Sequence, residues 1–232
     1  MEYNHTLFSG IFNVVVMKSD FFDQEVLQLA KALLGKVLRV KYENYWLSAQ
    51  IIETEAYALE DRASHASLGR TPKREALFMP PGTIYMYYAR GGDSLNVSAR
   101  GEGNAVLIKS AYPFFDEYSP QEIVLPVMQQ LNPKNGQMRE VHTLCCGQTL
   151  LCRSLGLKVK DWDKKCFDPQ KFYIEDLGYK PEKVLYTQRL GIPAGRDEHL
   201  MYRLVDYKFA RHCTSNPLAK RDPIFMVEVN NI

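Results

Sequence analysis

The segment 51–57, I-I-E-T-E-A-Y, constrains the fold more than any other part of the chain. Read as a β-strand, it alternates between one face with Ile51, Glu53, Glu55 and Tyr57 and another face with Ile52, Thr54 and Ala56. Neighbours on one face of a strand lie roughly 6 to 7 Å apart, so each carboxylate lies within range of the other's charge. The pattern predicts a strand inside a sheet, with an acidic face that suits the activation of water beside a flat substrate.

Length and composition indicate a globular protein. The chain of 232 residues is long enough for one domain with a sizeable core. Apolar residues make up 46% and charged residues 24%, which excludes a disordered or fibrous protein. The formal net charge of +2 does not by itself indicate a nucleic-acid partner. Residues 62–109, however, contain seven Lys and Arg residues against three acidic residues, and such a local excess beside an acidic site favours a polyanionic substrate.

The five cysteines indicate neither a disulfide framework nor a zinc site. Their number is odd, and none belongs to a Cys-x-x-Cys pair with further ligands at zinc spacing. An apolar run at 11–17 is too short to span a bilayer and lacks a basic leader. We therefore expect no metal, no cofactor and no membrane partner, and we expect an intracellular, cytoplasmic protein.

Periodicity and turn signals predict the order of elements along the chain. A helix capped by Asp23 runs to Leu34 and stops at Gly35. Strands are predicted at 37–42, 46–57, 83–88, 95–98, 105–111 and 201–205, and further helices at 122–131 and 149–155. Residues 158–182 are polar and are predicted to be irregular. Because hairpins dominate, we expect a single α+β domain with a curved, mainly antiparallel sheet and flanking helices.

Tyrosines alternate along the predicted strand at 83–88, where Tyr85 and Tyr87 share a face. On its own, this pattern is more typical of side chains that pack across neighbouring strands. Together with Tyr57 and with His65, which lies in a long polar connection, the tyrosines favour an aromatic slot. A planar base, above all a cationic one, would stack in such a slot because ring faces attract positive charge.

Several motifs occur along the chain in one order: I-I-E-T-E-A-Y at 51–57, F-M-P-P-G-T-I-Y-M-Y at 78–87, L-N-V-S at 95–98 and G-E-G-N-A-V-L-I-K at 101–109. The ordered set resembles the alkyladenine, or 3-methyladenine, DNA glycosylase family. The similarity begins at F-F-D-Q, 21–24, and continues through C-G-Q-T-L-L-C-R-S-L-G-L, 146–157, to R-L-G-I-P-A-G-R, 189–196. Because it covers most of the chain, we expect an N-terminal extension at 1–18 and a DNA glycosylase domain at 19–232.

The resemblance implies a monofunctional repair enzyme that flips alkylated or deaminated purines out of duplex DNA. The enzyme would hydrolyse the N-glycosidic bond and leave an abasic site. Glu55 falls on the family's catalytic acid, which activates the attacking water, and Lys109 stands where the family usually has an arginine near that water. The implied partner is double-stranded DNA that contains damaged purines, bound by a monomer without a cofactor. Such a protein would be nucleoid-associated if its source is bacterial.

The resemblance also implies two sets of residues around the catalytic acid. The base pocket would be lined by Tyr57, His65, Tyr87 and Asn96, and backbone groups of the turn from Ala63 to His65 are candidates for hydrogen bonds to the base. The DNA itself would be contacted by Arg70, Thr71, Lys73, Arg74, Tyr88 and Arg90. In the family a tyrosine wedge fills the gap that the flipped base leaves. The corresponding position here aligns near Arg90, with Tyr88 as the nearby aromatic residue.

From the residues alone, plainer explanations and rival functions stay open. Glu55 could be an ion-paired strand residue, His65 a satisfied loop histidine, and Glu53 either a neighbour that tunes Glu55 or a partner for a basic residue. One rival is a non-catalytic nucleic-acid-binding module, although a binder has no use for a carboxylate that faces phosphates. A glycoside hydrolase with Glu53 and Glu55 as its acid pair is disfavoured by same-strand spacing. A zinc base deaminase is disfavoured because H-x-E and P-C-x-x-C motifs are missing.

Overall fold

The computed structural model describes residues 15–89, 91–219 and 224–228. Most of the predicted N-terminal extension and the predicted wedge residue Arg90 therefore lie outside the described residues. The described ranges contain all the other residues that the sequence singled out as candidates for a site.

Ten strands in the described ranges form one sheet, and the strand pairs in it are antiparallel. The strands are β1 (Val15–Val16), β2 (Val37–Tyr42), β3 (Tyr45–Tyr57), β4 (Ile84–Ala89), β5 (Gly92–Ser98), β6 (Ala105–Pro113), β7 (Phe172–Asp176), β8 (Lys183–Thr187), β9 (Arg203–Asp206) and β10 (Ile224–Glu228). The α-helices are α1 (Ser19–Phe22), α2 (Val26–Leu33), α3 (Gln121–Leu131), α4 (Gln148–Ser154) and α5 (Val159–Trp162). The prediction of a single α+β domain with a mainly antiparallel sheet is confirmed.

The long strand β3 lies at the centre of the sheet and organises it. Along one edge, from Ala49 to Tyr57, it pairs with β6. Along the other edge its first half pairs with β2, and its second half, at Glu53 to Glu55, pairs with β9. The sheet continues from β2 through β7 to β1, from β6 through β5 to β4, and from β9 through β8 to β10. The segment with the two glutamates is thus hydrogen-bonded to strands on both edges.

Two opposed register shifts interrupt the alternation in the middle of β3 and β6, with Ile52 as the extra residue in β3 and Lys109 in β6. Such a bulge re-aims the side chains around it. As a result, Ile51 packs in the main core together with Ala56, whereas Ile52 packs in a second cluster with Cys213. The predicted alternation, which put Ile51 on the face of the glutamates and Ile52 on the other face, was therefore wrong at these two positions.

Helix α2 packs its apolar face on the sheet. Its buried residues are Val26, Leu29, Ala30 and Leu33, which recur at the three- and four-residue spacing of one helix face. The helix begins after Glu25, whose carboxylate accepts hydrogen bonds of 3.0 Å from two amides of the first turn. The predicted cap at Asp23 was wrong, because Asp23 instead forms an ion pair with Arg100.

Residues 158–182 are more regular than predicted, because they contain α5 and β7. Strand β7 pairs with β2, and a buried ion pair joins the two strands. Arg39 Nε of β2 donates to Glu175 Oε2 of β7 over 2.6 Å, and the same guanidinium also donates to Asp116. Buried charges of this kind are tolerated because they are paired and hydrogen-bonded. The polar composition of the stretch thus concealed a strand whose acidic residue faces the interior.

Three kinds of feature are missing from the described ranges. None of the helices in them is both long and apolar enough to cross a membrane. No group of three or more His, Cys, Asp or Glu side chains in them is placed to hold a metal ion. The third is a disulfide: all five cysteines fall inside the described ranges, and each is a free thiol.

Candidate active site

A cavity of about 190 Å³ opens at the carboxyl end of β3, beside strands β4 to β6 and two loops. The loops are residues 61–65, here called the 61–65 turn, and residues 189–197, here called the 189–197 loop. Six of the residues that the sequence predicted for the site line this cavity: Tyr57, Ala63, His65, Tyr87, Asn96 and Lys109. The fold therefore brings together predicted residues from four strands and one turn.

One wall of the cavity is aromatic. The ring of His65 meets the ring of Tyr87 edge to face, with 4.6 Å between centroids, and Tyr85 lies 5.6 Å from Tyr87. His65 Nδ1 and the Tyr85 hydroxyl are 2.9 Å apart, in a hydrogen bond whose direction depends on the imidazole tautomer. The wall thus offers ring faces to a planar ligand, and its polar tips are tied to each other.

Burial keeps this wall uncharged. The pKa of His65 is lowered from its ordinary value, first because burial penalises the imidazolium and then because Arg74 and Arg196 repel it. The pKa of the Tyr85 hydroxyl is raised, mainly by burial. Near pH 7 both side chains are neutral, so neither repels a cationic ring.

Glu55 lies fully buried directly beneath the cavity. Its Oε2 accepts a hydrogen bond of 2.7 Å from the Tyr57 hydroxyl. Its Oε1 accepts a longer bond of 3.3 Å from the Leu190 amide and lies 3.4 Å from Lys109 Nζ. Tyr57, Lys109 and Leu190 all line the cavity. Glu55 is not itself a lining residue, but its carboxylate is in direct contact with three residues that are.

Tyr57 is fixed at both its hydroxyl and its ring. The pKa of the hydroxyl is raised well above its ordinary value, first by burial and then by the negative charge of Glu55 and the hydrogen bond to it. The hydroxyl therefore remains a donor to the carboxylate. On the ring, the guanidinium carbon of Arg189 lies 4.6 Å from the centroid, within the range of a cation–π contact.

Glu53 has a structural role. Its Oε1 accepts a 2.6 Å bond from Arg203 Nε, and its Oε2 accepts from the Thr214 amide over 3.0 Å and from the Ser110 hydroxyl. Both members of the ion pair are buried, and Glu53 does not line the cavity. Of the two roles that the sequence left open, Glu53 thus has that of a partner for a basic residue. This geometry also excludes a glycoside hydrolase in which Glu53 and Glu55 flank one bond.

Asn96 lies on β5, next to β4, and Lys109 lies on β6, next to β3. Asn96 Nδ2 donates to the Tyr85 carbonyl over 3.1 Å, which fixes the plane of its amide. Lys109 lies at the β6 bulge, is only 8% exposed, and has its Nζ 3.5 Å from Glu55 Oε2. Because the pair is largely out of water, its attraction is stronger than that of a similar pair on the surface.

The basic residues predicted to contact DNA follow the 61–65 turn, and two of them are tied into the protein. Arg70 forms an exposed ion pair with Glu75 over 2.5 Å. Arg74 Nη1 donates to two backbone carbonyls of the preceding turn, both at 3.0 Å. Lys73 is exposed, and Thr71 is half-buried. Of the four, Lys73 is thus the side chain most free to meet a phosphate.

Tyr88 is the described residue closest in sequence to the predicted wedge position. It lies near the end of β4 and is 68% exposed. Its chain neighbours Tyr87 and Ala89 both line the cavity. The regular alternation of β4 therefore places the exposed ring of Tyr88 on the opposite face of the strand from the cavity.

Sequence reasoning missed the residues that complete the lining of the cavity: Ser64, Leu77, Ala89, Ala105, Leu107, Gln148, Leu190, Gly191 and Ile192. Gln148 begins α4, and its Nε2 donates to the Ser94 hydroxyl over 2.9 Å. The ordered motifs contain a signal for these residues, because Gln148 belongs to C-G-Q-T and Leu190 to R-L-G-I. Local periodicity, however, does not show that either segment approaches β3.

Comparison with known proteins gives consistent matches. A family model described as methylpurine-DNA glycosylase matches residues 20–209, which include every residue that lines the cavity. A Pseudomonas aeruginosa protein from strain LESB58, provisionally named as a 3-methyladenine DNA glycosylase, is 58% identical over 201 residues, or 86% of this chain and 84% of that protein. A Pseudomonas syringae pv. tomato protein with the same name is 56% identical over 220 residues, or 92% and 98% of the two chains.

A more distant relative extends the match beyond bacteria. The DNA-3-methyladenine glycosylase of Mus musculus is 36% identical over 186 residues, which make up 75% of this chain and 53% of the mouse protein. The chain therefore belongs to the methylpurine-DNA glycosylase family of DNA repair enzymes, as its ordered motifs predicted.

Proposed function

We propose that this protein removes alkylated or deaminated purines from duplex DNA by hydrolysing the N-glycosidic bond, with Glu55 activating the water. An abasic site would be left in the DNA. The observation that carries the proposal is the position of Glu55 beneath an aromatic cavity, bonded to Tyr57 and Lys109, which line that cavity. Membership of the family supports the glycosylase activity, and the names of the relatives support 3-methyladenine as one of the bases.

A cationic lesion needs little more than this cavity provides. Alkylation at N3 or N7 makes a purine positively charged and a good leaving group. The enzyme then mainly has to supply orientation, a water molecule and negative charge near the developing oxocarbenium sugar. The rings of Tyr57 and Tyr87 would attract the cationic base, and the neutral His65 would not repel it. Glu55 supplies the negative charge.

Lys109 and Glu55 would together hold one water molecule beside their ion pair. Nζ lies 3.4 and 3.5 Å from the two carboxylate oxygens, which is longer than the roughly 2.8 Å of a direct charge-assisted hydrogen bond. A water beside the pair, on the cavity side, would accept from Nζ and donate to the carboxylate, so its free lone pair would be oriented for attack on the anomeric carbon. Glu55 would take the proton as the new bond forms. Lys109 would supply a point charge in place of a bidentate guanidinium.

A neutral lesion such as hypoxanthine makes further demands. The leaving base would also need protonation, and discrimination would have to come from the shape of the pocket and from hydrogen bonds. The backbone groups of Ala63 and His65 are candidates for those bonds, because both residues line the cavity. The Asn96 amide, fixed by the Tyr85 carbonyl, would crowd the exocyclic amino group of guanine and so favour bases that lack it.

The surface around the cavity mouth suits duplex DNA. Flipping a purine costs a few kcal/mol of stacking and pairing, and a wedge side chain usually fills the vacated space. The wedge would come from the end of β4, where Arg90 aligns with the family's wedge position and Tyr88 is the nearby exposed aromatic residue. The remaining DNA contacts would be made by Arg70, Thr71, Lys73 and Arg74. Residues 19–232 would act as one monomeric glycosylase domain, and a DNA substrate would keep the protein at the nucleoid in a bacterial cell.

The decisive experiment is an excision assay on duplexes that each carry one lesion: 3-methyladenine, 7-methylguanine, hypoxanthine or ethenoadenine. The wild-type protein should excise at least one of them, with or without a metal chelator. Glu55→Gln should still bind the lesion duplex, because the stacking contacts to the purine remain. It should lose excision by orders of magnitude, because the carboxylate that activates the water is gone. Glu60→Gln, which removes one charge at an exposed position, is the matched control and should keep wild-type excision. Excision retained by Glu55→Gln would reject the proposed mechanism.

A further inference from the structure

A buried ion pair joins the two loops that line one side of the cavity. Asp61 belongs to the 61–65 turn and Arg189 to the 189–197 loop. Arg189 Nη2 donates to Asp61 Oδ1 over 3.0 Å, and Nη1 donates to Oδ2, so the contact is bidentate. Both side chains are almost completely buried. Each loop carries residues that line the cavity, among them His65 on the first and Leu190 on the second.

Further bonds between the loops reinforce this pair. The Arg62 amide donates to Asp197 Oδ2 over 2.8 Å, and Arg196 Nε donates to the Arg62 carbonyl over 2.9 Å. Asp61 also orders its own turn, because its Oδ1 accepts a 2.9 Å bond from the Ala63 amide. The position of the 61–65 turn therefore depends on the 189–197 loop, and the link between them is centred on Asp61.

Arg189 also reaches the catalytic acid through two of its neighbours. Its guanidinium lies on the ring of Tyr57, whose hydroxyl donates to Glu55, and its Nη1 donates to the Ala56 carbonyl over 3.0 Å. The residue that follows it, Leu190, donates its amide to the other oxygen of Glu55. Arg189 Nε is buried without a hydrogen-bond partner among the described residues. The Asp61 carboxylate, the Ala56 carbonyl and the Tyr57 ring thus set the orientation of the guanidinium.

We propose that Asp61 and Arg189 form a positioning pair for Glu55. The pair would not touch the substrate. It would act by holding the Tyr57 hydroxyl and the Leu190 amide on the two carboxylate oxygens and by holding the 61–65 turn against the cavity. Small displacements of groups at a reacting centre lower the rate far more than they lower binding to the DNA backbone, so the pair affects excision more than DNA affinity. This role rests on the proposed function of Glu55.

A second buried ion pair, between Arg39 and Glu175, serves as a control, because it stabilises the fold away from the cavity. Arg39 and Glu175 are equally buried and are joined by a 2.6 Å bond between β2 and β7. Neither residue lines the cavity or contacts Glu55. Arg→Lys at position 39 or 189 keeps the charge but loses the bidentate fork and the planar group that stacks on a ring. Arg39→Lys and Arg189→Lys therefore make the same chemical change. Only Arg189→Lys makes it in the proposed positioning pair.

The test compares Arg189→Lys, Asp61→Asn and Arg39→Lys with the wild type in single-turnover excision, lesion-duplex binding and thermal unfolding. We expect Arg189→Lys to lower the excision rate constant roughly 10- to 100-fold while duplex binding changes much less. Arg39→Lys should lower the unfolding temperature at least as much and leave the rate constant unchanged. Asp61→Asn should lower the rate constant as well, and it carries the test if Arg189→Lys does not fold.

The outcomes separate this proposal from the function on which it rests. If the wild type excises a lesion and Glu55→Gln does not, the function stands. In that case, wild-type rate constants for Arg189→Lys and Asp61→Asn would overturn the positioning role alone. An equal loss of rate in Arg39→Lys would also overturn it, because the loss would then follow from general destabilisation. Absence of excision by the wild type on every lesion would overturn the proposed function and, with it, this role of the pair.

Discussion

The hydroxyl of Tyr57 donates a 2.7 Å hydrogen bond to Oε2 of Glu55, two residues earlier on the same face of β3. The alternation of a strand makes this contact possible, because residues i and i+2 project to the same side. The raised pKa of Tyr57 keeps its hydroxyl protonated beside the carboxylate. Tyr57 thus both lines the cavity and donates the hydrogen bond that orients the Glu55 carboxylate.

Tyr57→Phe separates these two contributions. The ring remains, so binding to a lesion duplex should persist, whereas the hydrogen bond to the charged carboxylate is lost. A hydrogen bond to a charged group contributes about 1.5–3 kcal/mol, so we expect single-turnover excision to fall roughly 10- to 100-fold. Tyr42→Phe, at the far end of β2, removes an exposed hydroxyl and should leave the rate unchanged. A wild-type rate for Tyr57→Phe would show that the hydroxyl does not position Glu55.

The two neighbouring glutamates should respond oppositely to the same substitution. Glu53→Gln leaves the buried guanidinium of Arg203 without a countercharge, and breaking such a pair costs about 3–5 kcal/mol. We therefore expect Glu53→Gln to lower the free energy of unfolding strongly while the folded fraction keeps excision. Glu55→Gln should lose excision and lower stability less, because Lys109 Nζ lies 3.4 Å from Glu55 and is partly exposed, whereas the fully buried Arg203 bonds Glu53 over 2.6 Å. Urea unfolding together with single-turnover assays measures both effects, and the reverse pattern would contradict the assigned roles.

The sequence predicted the general fold and much of the cavity for different reasons. Hairpin signals were sufficient for the antiparallel sheet around β3, since they are local. The alternation of tyrosines at 83–88, taken together with Tyr57 and His65, predicted an aromatic slot. Asn96, in contrast, was predicted only from the resemblance of the ordered motifs to a family. Periodicity failed at Ile52, where the bulge depends on the partner strand. A pattern of period two cannot register a residue that the opposing strand leaves unpaired.

Long-range polar pairs were beyond the reach of sequence patterns. Asp61 and Arg189 are 128 positions apart, and each looks like an ordinary charged loop residue. Glu175 made β7 look irregular, although its charge is neutralised by Arg39 in the interior. Burial of a charge depends on a partner that only the tertiary fold supplies. For this reason the sequence did not predict the ion pair between Asp61 and Arg189.

His65 should titrate below its ordinary range. Its pKa is lowered by burial of the ring and by Arg74 and Arg196. The stability that this group contributes is therefore fully present above the unfolded-state pKa of about 6.5 and is lost as the pH falls through the lower folded-state value. Titration by NMR should give a pKa below 6.5, and Arg74→Gln should raise it toward the ordinary value because one repelling charge is removed. A pKa above 6.5 in the wild type would contradict this electrostatic environment.

Lys73 should contribute to DNA binding through its charge alone. Its ammonium group is exposed on the turn that follows the 61–65 turn, whereas the nearby Arg70 is already paired with Glu75. A lysine that neutralises one phosphate releases about one counterion, so Lys73→Ala should weaken binding to damaged and undamaged duplexes alike. It should also reduce the slope of log K against log salt concentration by about 1.

The salt dependence also locates the DNA on the protein surface. Lys41 lies on β2 and pairs with Trp46 at the hairpin end of β3, roughly 35 Å from Tyr57 by the rise of an extended strand. Lys41→Ala removes the same charge as Lys73→Ala but should leave the slope unchanged, because a duplex that presents a base to the cavity contacts the other end of the sheet. Fluorescence anisotropy at several salt concentrations measures both slopes. Equal slopes for the two variants would mean that the duplex does not bind beside the cavity mouth, and the phosphate contacts assigned to residues 70–74 would then be wrong.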